Sequence, residues 1–170
     1  MSRHRAGLGC ATAKLNVYIA NRPPLDQYRD LQALHPMAPG EIRQIADLTG
    51  NHWRKIFNVY AKLAFSLNDL GFASWQLLRD QQLLQKGSET ALWFEPLEDF
   101  AVERNREDAE AVHLICGKQY GLSLNLPPLT WLNEQLAVNQ RHRLMVTPYF
   151  DYRQLSNIKL AQVADIIKSL

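Results

Sequence analysis

Val112-His-Leu-Ile-Cys116, followed at once by Gly117-Lys118, decides the fold. The run is too short for a helix, carries apolar residues on both sides of its alternation, and is cut off by glycine. A strand apolar on both faces belongs in a parallel sheet covered by helices on either side. Three further stretches have the same character. Leu15-Asn-Val-Tyr-Ile-Ala20 is stopped by Asn21-Arg-Pro-Pro24, Thr90-Ala-Leu-Trp-Phe-Glu95 by Pro96, and Arg143-Leu-Met-Val-Thr147 by Pro148. Proline has no N–H for a central ladder, so each strand must end where it does.

Helical signals fill the gaps. Residues 25–34 read as a short helix ended before Pro36, and Pro39-Gly40 opens a second through Leu48. Asn51 is placed to cap a long helix whose apolar residues, from Trp53 through Ile56, Tyr60 and Leu63 to Leu70, recur in steps of three and four. Gly71 suits its C-cap, and Ser74 starts a helix running to Lys86. After Pro127-Pro128 the spacing predicts a helix over 130–138, and Ser156 caps a final one with Leu160, Val163 and Ile167 on one side. Strands alternating with helices predict an α/β fold. The expectation is a three-layer sandwich over residues 15–170, a four-stranded, mostly parallel sheet flanked by helices, preceded by a flexible basic head over residues 1–14.

Composition narrows the function classes. With 46% hydrophobic and 21% charged residues, the chain is not disordered as a whole. No apolar run approaches the roughly 18 residues of a membrane helix. Met1-Ser-Arg-His-Arg5 lacks the apolar core of a secretory signal. The two cysteines, Cys10 and Cys116, are too few for a disulfide framework and read as free thiols of a soluble protein in a reducing cytoplasm. No Cys/His spacing suits zinc, and neither GxGxxG nor a Walker loop nor GxSxG nor HExxH occurs. Neither metal nor cofactor is expected. The net charge is only +2, yet residues 87–110 hold eight acids against Arg104 and Arg106, which leaves the rest of the chain basic.

In open parallel sheets ligands bind beyond the carboxyl ends of the strands, and the sharpest polar and aromatic residues lie in those loops. Asn21 offers an amide to a water or a base, or simply turns the chain together with Pro23. Arg22 stands near where a phosphate would sit. Glu95, at its strand end, could accept from a base. Gly117-Lys118 opens a helix start suited to an anion. The stretch Thr147-Pro-Tyr-Phe-Asp-Tyr-Arg153 interleaves Tyr149, Phe150 and Tyr152 with Arg153, a pattern that either stacks on bases or pins the last helix to the core.

The order of these pieces resembles the uracil-DNA glycosylase superfamily. Tyr18-Ile-Ala-Asn-Arg-Pro-Pro24 is similar to its first motif, with Asn21 where the family places a catalytic Asn or Asp. The long helix follows; Glu95 falls where a residue reads the base; Leu114-Ile-Cys-Gly-Lys118 resembles a later motif; and Thr147-Pro148-Tyr149 stands where the family has His-Pro-Ser, which enters the DNA minor groove. Ala20 replaces a family glycine, Arg22 intrudes before the prolines, and Thr147 replaces the histidine. The resemblance implies either a non-catalytic or diverged member that binds nucleic acid or a nucleotide, or an active glycosylase in which Asn21 positions the hydrolytic water. A non-catalytic member could also meet a protein partner through the acidic segment, and an unrelated α/β domain could hold a small anion at Gly117-Lys118.

Overall fold

The computed structural model describes residues 5–101 and 110–170. Along the chain it holds β1 (Gly7–Gly9), β2 (Leu15–Tyr18), α1 (Asp26–Arg29), β3 (Leu34–His35), α2 (Glu41–Thr49), α3 (Asn51–Leu67), α4 (Trp75–Gln81), β4 (Thr90–Trp93), β5 (Val112–Cys116), α5 (Lys118–Ser123), β6 (Thr130–Trp131), β7 (Ala137–Asn139), β8 (Leu144–Thr147) and α6 (Asn157–Ser169).

The four strands read from the sequence are β4, β2, β5 and β8, adjacent in that order and mutually parallel. The sheet does not stop there. Among the described residues it has eight strands in the order β3-β1-β4-β2-β5-β8-β7-β6, and it is mixed. β1 runs antiparallel to β4, and the hairpin of β6 and β7 lies antiparallel against β8. Both parallel edges therefore gain a partner, which covers backbone groups an edge would leave open.

Two expectations fail here for identifiable reasons. The described part of the head, from residue 5, is not simply a flexible lead-in, because Gly7-Leu-Gly9 pairs with β4. The pairing is so close that a Cβ on Gly9 would stand 2.3 Å from the Thr90 carbonyl oxygen, and its φ of +123° also excludes other residues. Residues 130–138 form a hairpin, not a helix. The Asn133 side chain accepts from the Gln135 amide at 2.8 Å, a local turn that outcompetes the helix, and Leu132 N–H closes onto the Leu136 carbonyl.

Alternation along the strands sorts side chains between two apolar layers. Val17, Leu92, Leu114 and Met145 face the layer built by α2, α3, α4 and α6. Tyr18, Trp93, Ile115 and Val146 face the other, closed by Phe100 and by Tyr120, Leu124 and Leu126 from α5 and the segment after it. The stripe on α3 buries Trp53, Ile56, Phe57, Tyr60 and Leu63 completely or nearly so. Tyr60 also fixes α3 to the sheet, since its hydroxyl lies 2.8 Å from the Leu15 carbonyl and accepts from Ala91 N–H at 3.1 Å. Ser74 and Ser156 cap α4 and α6 as expected, each accepting from the amide three residues on. Asn51 is the first residue of α3 and not its cap; Gly50 holds that place, and the Asn51 side chain accepts from Arg54 instead. Among the described residues, no helix is long and apolar enough to cross a membrane.

Candidate functional site

From β2 the chain passes through α1–α4 to β4 on one side of β2, then returns to β5 on the other. That reversal opens a crevice between the carboxyl ends of β2 and β5, the general ligand position in open α/β sheets. A cleft of about 400 Å³ lies there, lined among others by Ala20, Gly117, Lys118, Tyr120, Pro148 and Tyr149.

Tyr149 is its centre. Asn21, exposed just beyond β2, donates from Nδ2 to the Tyr149 hydroxyl at 3.0 Å. The same hydroxyl lies 2.8 Å from His52 Nε2, in the first turn of α3, and is placed to donate its own proton there. The two rings stack at 5.8 Å with 26° between their planes. Two separate elements thus fix one phenol. Burial pushes its pKa up to about 12, with the neighbouring Cys116 and Asp151 adding to the rise and the Asn21 hydrogen bond opposing it. Tyr149 is therefore a neutral hydrogen-bonding group at ordinary pH. Gly117 makes room for the ring. Its φ is +101°, and a Cβ there would touch Tyr149 Cδ2 at 3.4 Å.

Lys118 also lines the cleft and opens α5, with its ammonium 5.3 Å from the centre of the Trp131 ring. Trp131 is held there by the β6–β7 hairpin and is 39% exposed. Glu95, half-buried, accepts from the Ala6 amide at 2.9 Å, so it ties the segment before β1 to the end of β4. Tyr120 on α5 feels that carboxylate: burial first, then the Glu95 charge, raises its pKa.

Several candidates face inward. Arg22 donates from Nη1 to the carbonyls of Tyr28, Arg29 and Leu31 at 2.8–3.0 Å, and its guanidinium lies over Phe94. It satisfies the open end of α1 rather than an incoming phosphate. Pro23 is buried packing. Thr147 has no exposed surface, and its hydroxyl is spent on the Pro148 carbonyl at 3.0 Å. Phe150 is fully buried edge-on to Tyr60 at 6.1 Å, so no base reaches it. Cys116 is buried beneath the crevice with its thiol pushed up to about 12, which makes it inert. Tyr152 is 43% exposed between the ammonium groups of Lys55 and Lys62. Arg153 is exposed and donates its amide to Asp151. That bond, ahead of the Lys55 charge, lowers the Asp151 carboxyl.

The described acids of the segment over residues 87–110 do not form one surface. Glu89 and Glu110 pair with Lys14 at the amino ends of the strands, whereas Glu95 lies at the carboxyl ends. Glu103, Glu107 and Asp108 fall outside the described residues. A larger hollow, about 590 Å³, lies around His35 and Glu41. Its carboxylate is already taken by Tyr28 O–H at 2.6 Å, by His35 at 2.9 Å and by Ala38 N–H at 2.9 Å, a set that closes the corner before α2. The smaller crevice is the better site, because its polar groups face open space at the switch in strand order. Sequence reading missed His52 as a part of this site.

The profile of a family of unknown function, DUF6942, matches residues 6–168, nearly the whole chain. No curated protein and no solved structure matches it.

Proposed function

The chain belongs to the DUF6942 family, of unknown function, and from its own crevice we propose that it is a nucleotide-binding protein of the cytoplasm. In this reading it is a non-catalytic relative of uracil-DNA glycosylases. It takes a base and its phosphate, free or within nucleic acid, at the carboxyl ends of β2, β5 and β8. The observation that carries the reading is the clamped Tyr149: a ring oriented by Asn21 and His52 in a cleft that Lys118 also lines, with the Trp131 ring beside the Lys118 ammonium. A fixed aromatic face stacks on a base, and an ammonium in the same cleft pairs with its phosphate. Thr147 has its hydroxyl turned into the protein, so the position that resembles the family's histidine offers no proton to a leaving base.

The test is equilibrium binding of fluorescently labelled adenosine and uridine monophosphates across a salt series. Binding that weakens with salt, and is lost in Tyr149→Ala and weakened in Lys118→Gln, supports the reading. Inorganic phosphate binding as tightly as either nucleotide, with Tyr149→Ala unaffected, would replace it with a simple anion site.

A second reading rests on Asn21, whose exposed amide ends the first parallel strand and keeps its oxygen as an acceptor beside Tyr149. That is the arrangement a water-positioning residue needs, and in this reading the chain is an active glycosylase. Release of free base from uracil-containing DNA, abolished by Asn21→Ala with the fold intact, would establish this reading in place of the first.

A further inference from the structure

Beyond the crevice, one face of the molecule carries cations and rings in alternation. Lys55 Nζ lies 5.3 Å from the centre of the Tyr152 ring, and Lys62 Nζ lies 5.5 Å from it on the same ring. Lys62 is also 5.1 Å from the Trp75 ring, which Arg79 approaches at 5.3 Å. The order Lys55–Tyr152–Lys62–Trp75–Arg79 is therefore continuous, across α3, the loop after β8, and α4. Lys55 and Lys62 are seven residues apart, two helical turns, so they share a face of α3 and lie about 10 Å apart along its axis. His52, which holds Tyr149, is one turn before Lys55 on that helix. The row begins where the crevice ends.

The charges along it are unequally engaged. Lys55 pairs with Asp151 at 3.5 Å and Arg79 with Asp80 at 2.8 Å. Lys62 donates to the Asn157 amide oxygen at 3.5 Å, and among the described residues no carboxylate pairs with it. Its ammonium rests instead between two aromatic rings.

We propose that this row is the track of a single strand of nucleic acid leaving the crevice, its bases on Tyr152 and Trp75 and a phosphate on Lys62; this rests on the nucleotide reading of the crevice. The partner must bear repeated negative charge at short intervals to engage cations set apart in this way, and flat groups between the charges to replace the ammonium on each ring. A polynucleotide has both. When a phosphate draws the Lys62 ammonium off the rings, their faces open to the bases. A duplex keeps its bases stacked on one another and cannot offer them to these rings, so the strand must be single.

Anisotropy of labelled oligothymidylates, from one nucleotide to about eight, tests this on the whole chain. The expected result is affinity rising with length over the first few nucleotides and then levelling, with a duplex of equal length binding less tightly. Tyr152→Ala should weaken the longer oligomers about tenfold and leave the mononucleotide unchanged, while Tyr152→Phe keeps the affinity. Lys62→Gln should make the slope of log K against log salt shallower by about 0.7. Tyr149→Ala should weaken every length. Oligomers that bind no better than one nucleotide, Tyr152→Ala and Lys62→Gln without effect, or a duplex that binds best would overturn the track while the crevice reading stands. Failure of mononucleotide and oligomer alike would remove both.

Discussion

Asn21 and Tyr149 lie 128 positions apart in the chain, and the amide nitrogen of one is 3.0 Å from the hydroxyl of the other. The contact joins the ends of the first and last strands of the parallel set, β2 and β8, across the intervening β5. His52 completes it from α3 at 2.8 Å. A residue so constrained has little orientational freedom left to lose, which is what the proposed stacking of a base on it would require of a preformed site.

Tyr149→Phe keeps the ring and removes the hydroxyl that Asn21 and His52 share. The half-buried group contributes about 1 kcal/mol to stability, so urea unfolding should move only slightly. Nucleotide affinity should fall with it, because the ring is no longer held. An unchanged affinity would show that the clamp has no part in binding.

Phe150 and Tyr152 stand two residues apart with opposite environments. Phe150→Ala empties a fully buried site against Tyr60 and should cost about 3–5 kcal/mol in urea unfolding. Tyr152→Ala, on the surface, should stay within about 0.5 kcal/mol of the wild type.

Arg22→Ala separates a cap from a ligand contact. Losing the donor to Tyr28, Arg29 and Leu31 should lower stability by about 1–2 kcal/mol. The salt slope of nucleotide binding should not change, since the guanidinium is committed to the backbone. A shallower slope in this variant would return Arg22 to the binding surface.

Stability should decline at alkaline pH. Burial raises the Cys116 thiol from 9.0 to about 12 and, with smaller electrostatic contributions, the Tyr149 phenol from 10.0 to about 12. In both cases the folded pKa is the higher one, so the native state holds protons that the unfolded chain releases. The contribution is complete below about pH 9 and is lost as pH rises towards 12. Unfolding free energy measured against pH should bend downward from about pH 9, and Cys116→Ala should delay the bend towards 10.

The parallel centre of the sheet was legible because its four strands are apolar on both faces and end in proline or glycine. The flanking strands were not. Gly7-Leu-Gly9 has poor strand propensity and pairs because glycine permits a close approach to Thr90, a tertiary cause with no local signal. Leu132 and Leu136 are spaced for a helix, yet the Asn133 turn and the open edge of β8 draw the segment into a hairpin. The crevice does lie at the loops of the strand ends, where the sequence reading looked. Which side chains face outward depended on the pleat and the loop paths, and so Thr147 and Phe150 turned inward. His52 carried a usable signal. A crossover helix runs back against its strand, so the start of α3 must stand at the carboxyl end of the sheet, beside Asn21.

The most direct measurement is the change in backbone amide NMR shifts as uridine or adenosine monophosphate is added to the labelled protein. The changes should gather at Asn21, His52, Gly117, Lys118 and Tyr149. Shifts absent at saturating nucleotide, or gathered instead around His35 and Glu41, would contradict the nucleotide reading.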